Sequence, residues 1–168
     1  MLADAIRLLL FPALMAFAAS SDLITMTISN RISLVLIASF FVLAFMWNMP
    51  LAEIGMHVGA AATVLVVAFI FFSRGWIGGG DAKLAAAAAL WLGFDQLLNF
   101  VTFASLLGGI LTLALMRFRL MTLPPVLANQ EWVNRLHRMD SGIPYGIALA
   151  LAALMIYPDT PWMKSLGL

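Results

Sequence analysis

From Ile54 to Phe72 the chain carries no aspartate, glutamate, lysine or arginine. A helix needs about 20 mostly apolar residues to cross about 30 Å of hydrocarbon, so this stretch alone points to a membrane. Ala5–Ser20, Ile32–Asn48, Leu97–Met116 and Ile143–Tyr157 are further apolar runs, and Ala82–Gly93 is a shorter, alanine-rich one. Hydrocarbon gives backbone N–H and C=O groups no partner, so spanning segments must be helices or strands of a closed barrel. These runs lack the apolar–polar alternation of barrel strands. The expected fold is therefore an all-α integral membrane protein with about six transmembrane helices, a single polytopic domain over residues 1–168. Only 10% of residues are charged, against about 25% in soluble domains.

The first run has a small-residue stretch, Ala16-Phe17-Ala18, of the kind found at signal-peptide cleavage sites. Asp4 beside Arg7 spoils the positive flank such a peptide needs, so a retained helix is expected. Orientation follows from the basic residues. Arg31, Arg74, Lys83, Arg117, Arg119, Arg135 and Arg138 fall in loops after odd-numbered spans, and only Arg7 and Lys164 fall opposite. Basic loops stay in the cytoplasm. Both termini are then periplasmic, and Asp22 and Asp81, separated by two spans, come to one cytoplasmic face.

Several functions are excluded early. The net charge of +1 gives no reason to expect a nucleic acid partner. The absence of cysteine removes thiolate metal sites and thiol nucleophiles. Two histidines, His57 and His137, are too few for a histidine-rich metal site. No metal and no cofactor are expected.

Other features read as architecture. Arg117–Gly142 is the longest polar stretch, and Val126, Leu127, Trp132, Val133, Leu136 and Met139 recur in it at helical spacing. That pattern suits a short amphipathic helix on the membrane surface. Gly55 and Gly59, and Ser105 and Gly109, are spaced four apart, as where helix backbones approach each other. Trp47, Trp76, Trp91 and Trp162 lie near span ends, where aromatic belts form.

The chemistry gathers in two places. One is Ser21-Asp22 with Ile28-Ser29-Asn30-Arg31 beyond it; the other is Gly78-Gly79-Gly80-Asp81-Ala82-Lys83. Successive glycines weaken a helix by about 1 kcal/mol each, but they permit unusual backbone geometry and close approach. Ionisable groups at a bilayer boundary are functional candidates. Two carboxylates brought together share a proton. The ionised one can then activate water while the protonated one donates to a carbonyl oxygen, which suffices for peptide hydrolysis without a covalent intermediate. Asp81 is also well placed as a helix N-cap. Lys83 is a charge neighbour or a lipid-facing flank, and Tyr145 either reaches the aspartates or anchors an interface.

Gly78-Gly79-Gly80-Asp81 resembles the GxGD motif of intramembrane aspartyl proteases, and Ala82-Lys83-Leu84 extends it as in prepilin peptidases. Asp22 with Ile28-Ser29-Asn30 is similar to that family's first aspartate and the Ile-Pro-Asn after it, with Ser29 where proline is usual. Ile143-Pro144-Tyr145-Gly146 resembles the motif opening the last helix. The resemblance runs from about Ala18 to Tyr157. It implies an aspartic endopeptidase of the bacterial inner membrane that cuts leaders from type IV pilin or pseudopilin precursors at the cytoplasmic boundary. Asp22 and Asp81 would be catalytic, with Gly78, Gly79, Gly80, Asn30, Lys83 and Tyr145 as loop or substrate support. Larger members add a cysteine-bearing zinc insertion linked to methyl transfer. This chain lacks it, like the short form of Flp-type tight-adherence systems. The competing class is a small transporter or pilus-assembly subunit using its aspartates for proton relay or partner pairing.

Overall fold

A computed structural model describes residues 2–164. Among them the chain is helical, without strands: α1 (Leu2–Thr25), α2 (Asn30–Met46), α3 (Leu51–Ser73), α4 (Gly79–Arg119), α5 (Pro125–Ala128), α6 (Glu131–His137) and α7 (Tyr145–Ile156). A 3-10 turn, Tyr157–Asp159, leads to α8, Pro161–Lys164. By length and composition α1, α3 and α4 can each cross a membrane, while α2 and the segment 145–159 are shorter apolar helices. This is an all-α membrane protein.

The fourth and fifth expected spans are not separated by a loop. They are the two arms of α4, residues 79–92 and 94–119, meeting at Gly93. A straight helix would hold Asp81 and Gly109 about 42 Å apart at about 1.5 Å per residue. Instead both line one cavity of about 550 Å³, so the second arm folds back along the first. Gly93 makes this possible with φ 70 and ψ 178, a left-handed geometry that side chains resist. The break frees carbonyls that the helix would have paired. His57 Nδ1 lies 2.7 Å from the Leu90 carbonyl, and Trp162 Nε1 donates to the Trp91 carbonyl at 3.1 Å. A carbonyl only accepts, so Nδ1 carries the histidine proton.

Around that turn the core is aromatic. Phe11, Phe40, Trp91, Tyr157 and Trp162 are buried and ring-packed, with Phe11 4.6 Å from Tyr157 and Trp91 5.4 Å from Trp162 between centroids. Trp91 is thus core rather than interfacial, because the rings of Phe11, Phe40, Tyr157 and Trp162 surround it and its Nε1 donates to the Leu36 carbonyl at 2.9 Å. Trp162 is buried as well. Nearby, the Arg7 guanidinium stands 3.9 Å over the Trp47 ring.

The polar stretch 117–142 forms two short helices, α5 and α6, instead of one, interrupted at Asn129 and Gln130. Only Val133 and Leu136 of its apolar residues are buried; Val126 and Met139 face out. Arg119 ties the segment down, donating to the carbonyls of Leu136, Ser141 and Gly142.

Candidate active site

On α1 the residues Phe11, Met15, Ala18 and Asp22 are all buried. Their spacing of three and four keeps them on one face of the helix. Asp22 therefore continues the core stripe of α1 and points inward. What it meets is the start of α7. The first-turn N–H groups of a helix have no partner within it, and the Gly146 N–H donates to Asp22 Oδ2 at 2.8 Å. The carboxylate thus caps a helix from a different element, at the end where the helix dipole favours negative charge.

Asp81 approaches the same point from α4. It sits in the first turn, and its Oδ2 accepts the Gly78 N–H at 3.3 Å. It lies close enough to Asp22 for the charge of one carboxylate to bear on the other. Ile28 packs against both Gly80, next to Asp81, and Gly146, which holds Asp22, so two carboxylates separated by 59 positions in sequence come to one place.

The glycines explain how they fit. A Cβ on Gly146 would stand 2.7 Å from Asp22 Oδ2 and 2.6 Å from Ile28 Cδ1; one on Gly78 would stand 2.8 Å from Asp81 Oδ2. Gly80 gives its space to Ile28, whose Cβ lies 3.1 Å from the missing one. These glycines do not form the open loop that their sequence suggests. Gly78 is the N-cap of α4, and Gly79 and Gly80 are in its first turn. Asp81 is accordingly three residues inside the cap position. The triplet exists because Phe72 and Ile28 pack where side chains would otherwise be.

Ile28 is delivered by a tight reversal. Met26 adopts φ 56 just after α1, and its N–H donates to the Asp22 carbonyl at 2.8 Å. Ser29 then caps α2, accepting the Arg31 N–H at 3.3 Å. Its φ of −64 is the value that proline would impose, so serine keeps the path of the usual Ile-Pro-Asn.

The other candidates lie apart from the carboxylates. Lys83 Nζ donates to Asn30 Oδ1 at 2.8 Å, and both line a second cavity, about 540 Å³, that contains neither aspartate. This pair fastens α4 to α2. Tyr145 lines the Asp81 cavity, but its hydroxyl pairs with Thr112 Oγ1 at 3.2 Å and its ring packs against Gly108. The group that reaches the aspartates is its neighbour, Gly146. Gly146 and Ile28 were both visible in the sequence as motif residues, but a backbone N–H and an apolar wedge carry no chemical signature there.

The described residues hold no group of three or more His, Asp or Glu close enough to share a metal. His57 lies at the Gly93 turn, at the opposite end of the first arm from Asp81. His137 bonds the Met121 carbonyl at 2.8 Å.

No curated protein and no solved structure matches this chain. A model of the type IV leader peptidase family matches residues 9–113, a stretch that contains both aspartates, the glycine triplet and Lys83. That match covers more than half of the chain, which belongs to the type IV leader peptidase family.

Proposed function

We propose that this chain is a prepilin peptidase of aspartic type, with Asp22 and Asp81 as its catalytic pair. The observation that carries the reading is the convergence of α1, α4 and α7 around Ile28 and Gly146, which brings the two carboxylates to one place. Carboxylates this close share one proton. The ionised one takes a proton from a water molecule, which attacks the scissile carbonyl carbon. The protonated one donates to the carbonyl oxygen. Collapse of the tetrahedral intermediate breaks the C–N bond: the proton taken from water passes to the leaving amine, and a hydroxyl of the intermediate returns its proton to the aspartate that donated one.

The substrate is a type IV pilin or pseudopilin precursor, and the lack of a cysteine-bearing insertion between the spans supports one of Flp type. The basic residues of the loops following α1, α3 and α4 support an inner-membrane protein with its site facing the cytoplasm. The short helices α5 and α6 offer no module for a methyl donor, so the reaction is cleavage alone. Asp22→Asn and Asp81→Asn should each reduce precursor cleavage at least 1,000-fold, about 4 kcal/mol of barrier, while the protein remains membrane-inserted. Asp95→Asn should cleave normally. Cleavage near the wild-type rate in either of the first two variants overturns the assignment.

A further inference from the structure

Ser105 and Gly109 have the spacing at which helix backbones close on each other, yet among the described residues no helix closes on them. Nothing lies within 4 Å of a Cβ placed on Gly109, and Ser105 is exposed. Gly108 alone is covered, by the Tyr145 ring. The uncovered face is one wall of the cavity that holds Asp81, and α3 forms another wall with Thr63, Val67 and Phe71. Asp81, Gly109 and Tyr145 mark its polar end, and Leu97 and Phe100 its far end. From Gly109 to Leu97 the second arm rises about 18 Å, some three helical turns.

We propose that this groove, between α3 and the second arm of α4, seats the apolar helix of the precursor. The proposal rests on the peptidase reading above. The scissile bond lies at Asp81 and the helix runs from the level of Gly109 towards Leu97. The leader leaves at the polar end, so the seated segment is the part of the precursor that is retained. A helix suits this wall better than an acyl chain does. A helix gains close backbone contact and Cα–H to carbonyl contacts from a small-residue face, whereas a lipid tail gains nothing particular. The second cavity, beyond the first arm of α4, offers Asn30 and Lys83 but no carboxylate. A helix seated there would have its scissile bond on the wrong side of α4.

The test uses full-length protein in vesicles with a purified precursor. Wild-type cleavage is measured first, and its absence would sink the peptidase reading itself. In an Asp81→Asn background, a photoreactive phenylalanine analogue replacing Ser105 should crosslink to the precursor's apolar segment, and one replacing Ala62 in the second cavity should not. In the active protein, Gly109→Phe, whose Cβ has open space, puts a ring into the groove and should raise KM at least tenfold with kcat changed less than twofold. Ala62→Phe should change neither. Wild-type cleavage together with crosslinking only from position 62, or with an unchanged KM in Gly109→Phe, overturns the groove assignment and leaves the aspartates in place.

Discussion

The two ends of this helical bundle are built on opposite principles. At the Gly93 turn, large rings fill the space: Phe11, Phe40, Trp91 and Trp162 are nearly inaccessible and pack face and edge. At the other end of the same helices, glycines leave space, and the groups that fill it are the two carboxylates, Ile28 and the edge of the Phe72 ring. The same two helices serve both ends. Trp91 and Asp81 share the first arm of α4, and Phe11 and Asp22 share α1. Stability is concentrated where the rings are, and the carboxylates meet where side chains have been removed. A rigid end holds the directions of α1 and α4, so that two aspartates can be aimed at one place beside the start of α7.

The comparison breaks most easily at the aromatic end. Trp91→Ala removes a fully buried ring, and such truncations cost about 3–5 kcal/mol. The thermal midpoint should fall clearly, while kcat of the protein that remains folded should stay within about threefold of wild type, within about 0.7 kcal/mol. A selective loss of kcat with an unchanged midpoint would mean that the two ends are not divided in this way. Gly146→Ala is the reverse experiment. Its new methyl group would push Asp22 Oδ2 out of its hydrogen bond. A misplacement of about 1 Å can cost about 100-fold in rate. Cleavage should drop by that order, with a smaller change in midpoint than Trp91→Ala produces. Near-normal cleavage would show that the Gly146 N–H does not position the pair.

A weaker effect is expected at Lys83. Its ammonium reaches Asn30 rather than either aspartate. Lys83→Met and Asn30→Ala should each weaken the α2–α4 contact by about 0.5–1 kcal/mol. Residues in contact are non-additive, so the double variant should be no worse than either single one. Abolished cleavage in Lys83→Met alone would bring the lysine into the chemistry.

How much of this was legible beforehand depends on the kind of signal. The apolar runs gave the helices, because hydrocarbon leaves the backbone few options. Asp22 and Asp81 stood out because charge is rare in such a chain. The reversal at Gly93 was hidden, since one glycine among apolar residues says nothing of φ until His57 is seen to occupy the place of its side chain. The glycine triplet signalled close approach, but not that Ile28 and Phe72 are the side chains that approach. Ser105 and Gly109 were read as a contact between helices of the chain; their partner is absent, and that absence prompted the groove proposal. Trp91 lies near a span end in the sequence, where interfacial rings are expected, but the rings of Phe11, Phe40, Tyr157 and Trp162 enclose it in the core.

The smallest effect is expected at Arg138 and Asp140, beside the site end of the bundle. They form a pair at 2.6 Å, with both side chains 68% exposed. The hydrogen bond from Arg138, and then its charge, hold the Asp140 carboxyl below the usual carboxylate range. A carboxyl lowered on folding adds stability above its unfolded pKa and loses it as pH falls through the folded value. The sign is therefore stabilising at neutral pH and fading in acid. Water and salt screen so exposed a pair almost completely. Arg119 differs, because its guanidinium is spent on three backbone carbonyls of the same segment. Arg138→Ala should leave the thermal midpoint and cleavage unchanged from neutral to mildly acidic pH, whereas Arg119→Ala should make the segment 120–142 more open to proteolysis. A midpoint that falls in Arg138→Ala at neutral pH, and recovers to match wild type in acid, would mean that this short clasp holds the loop after all.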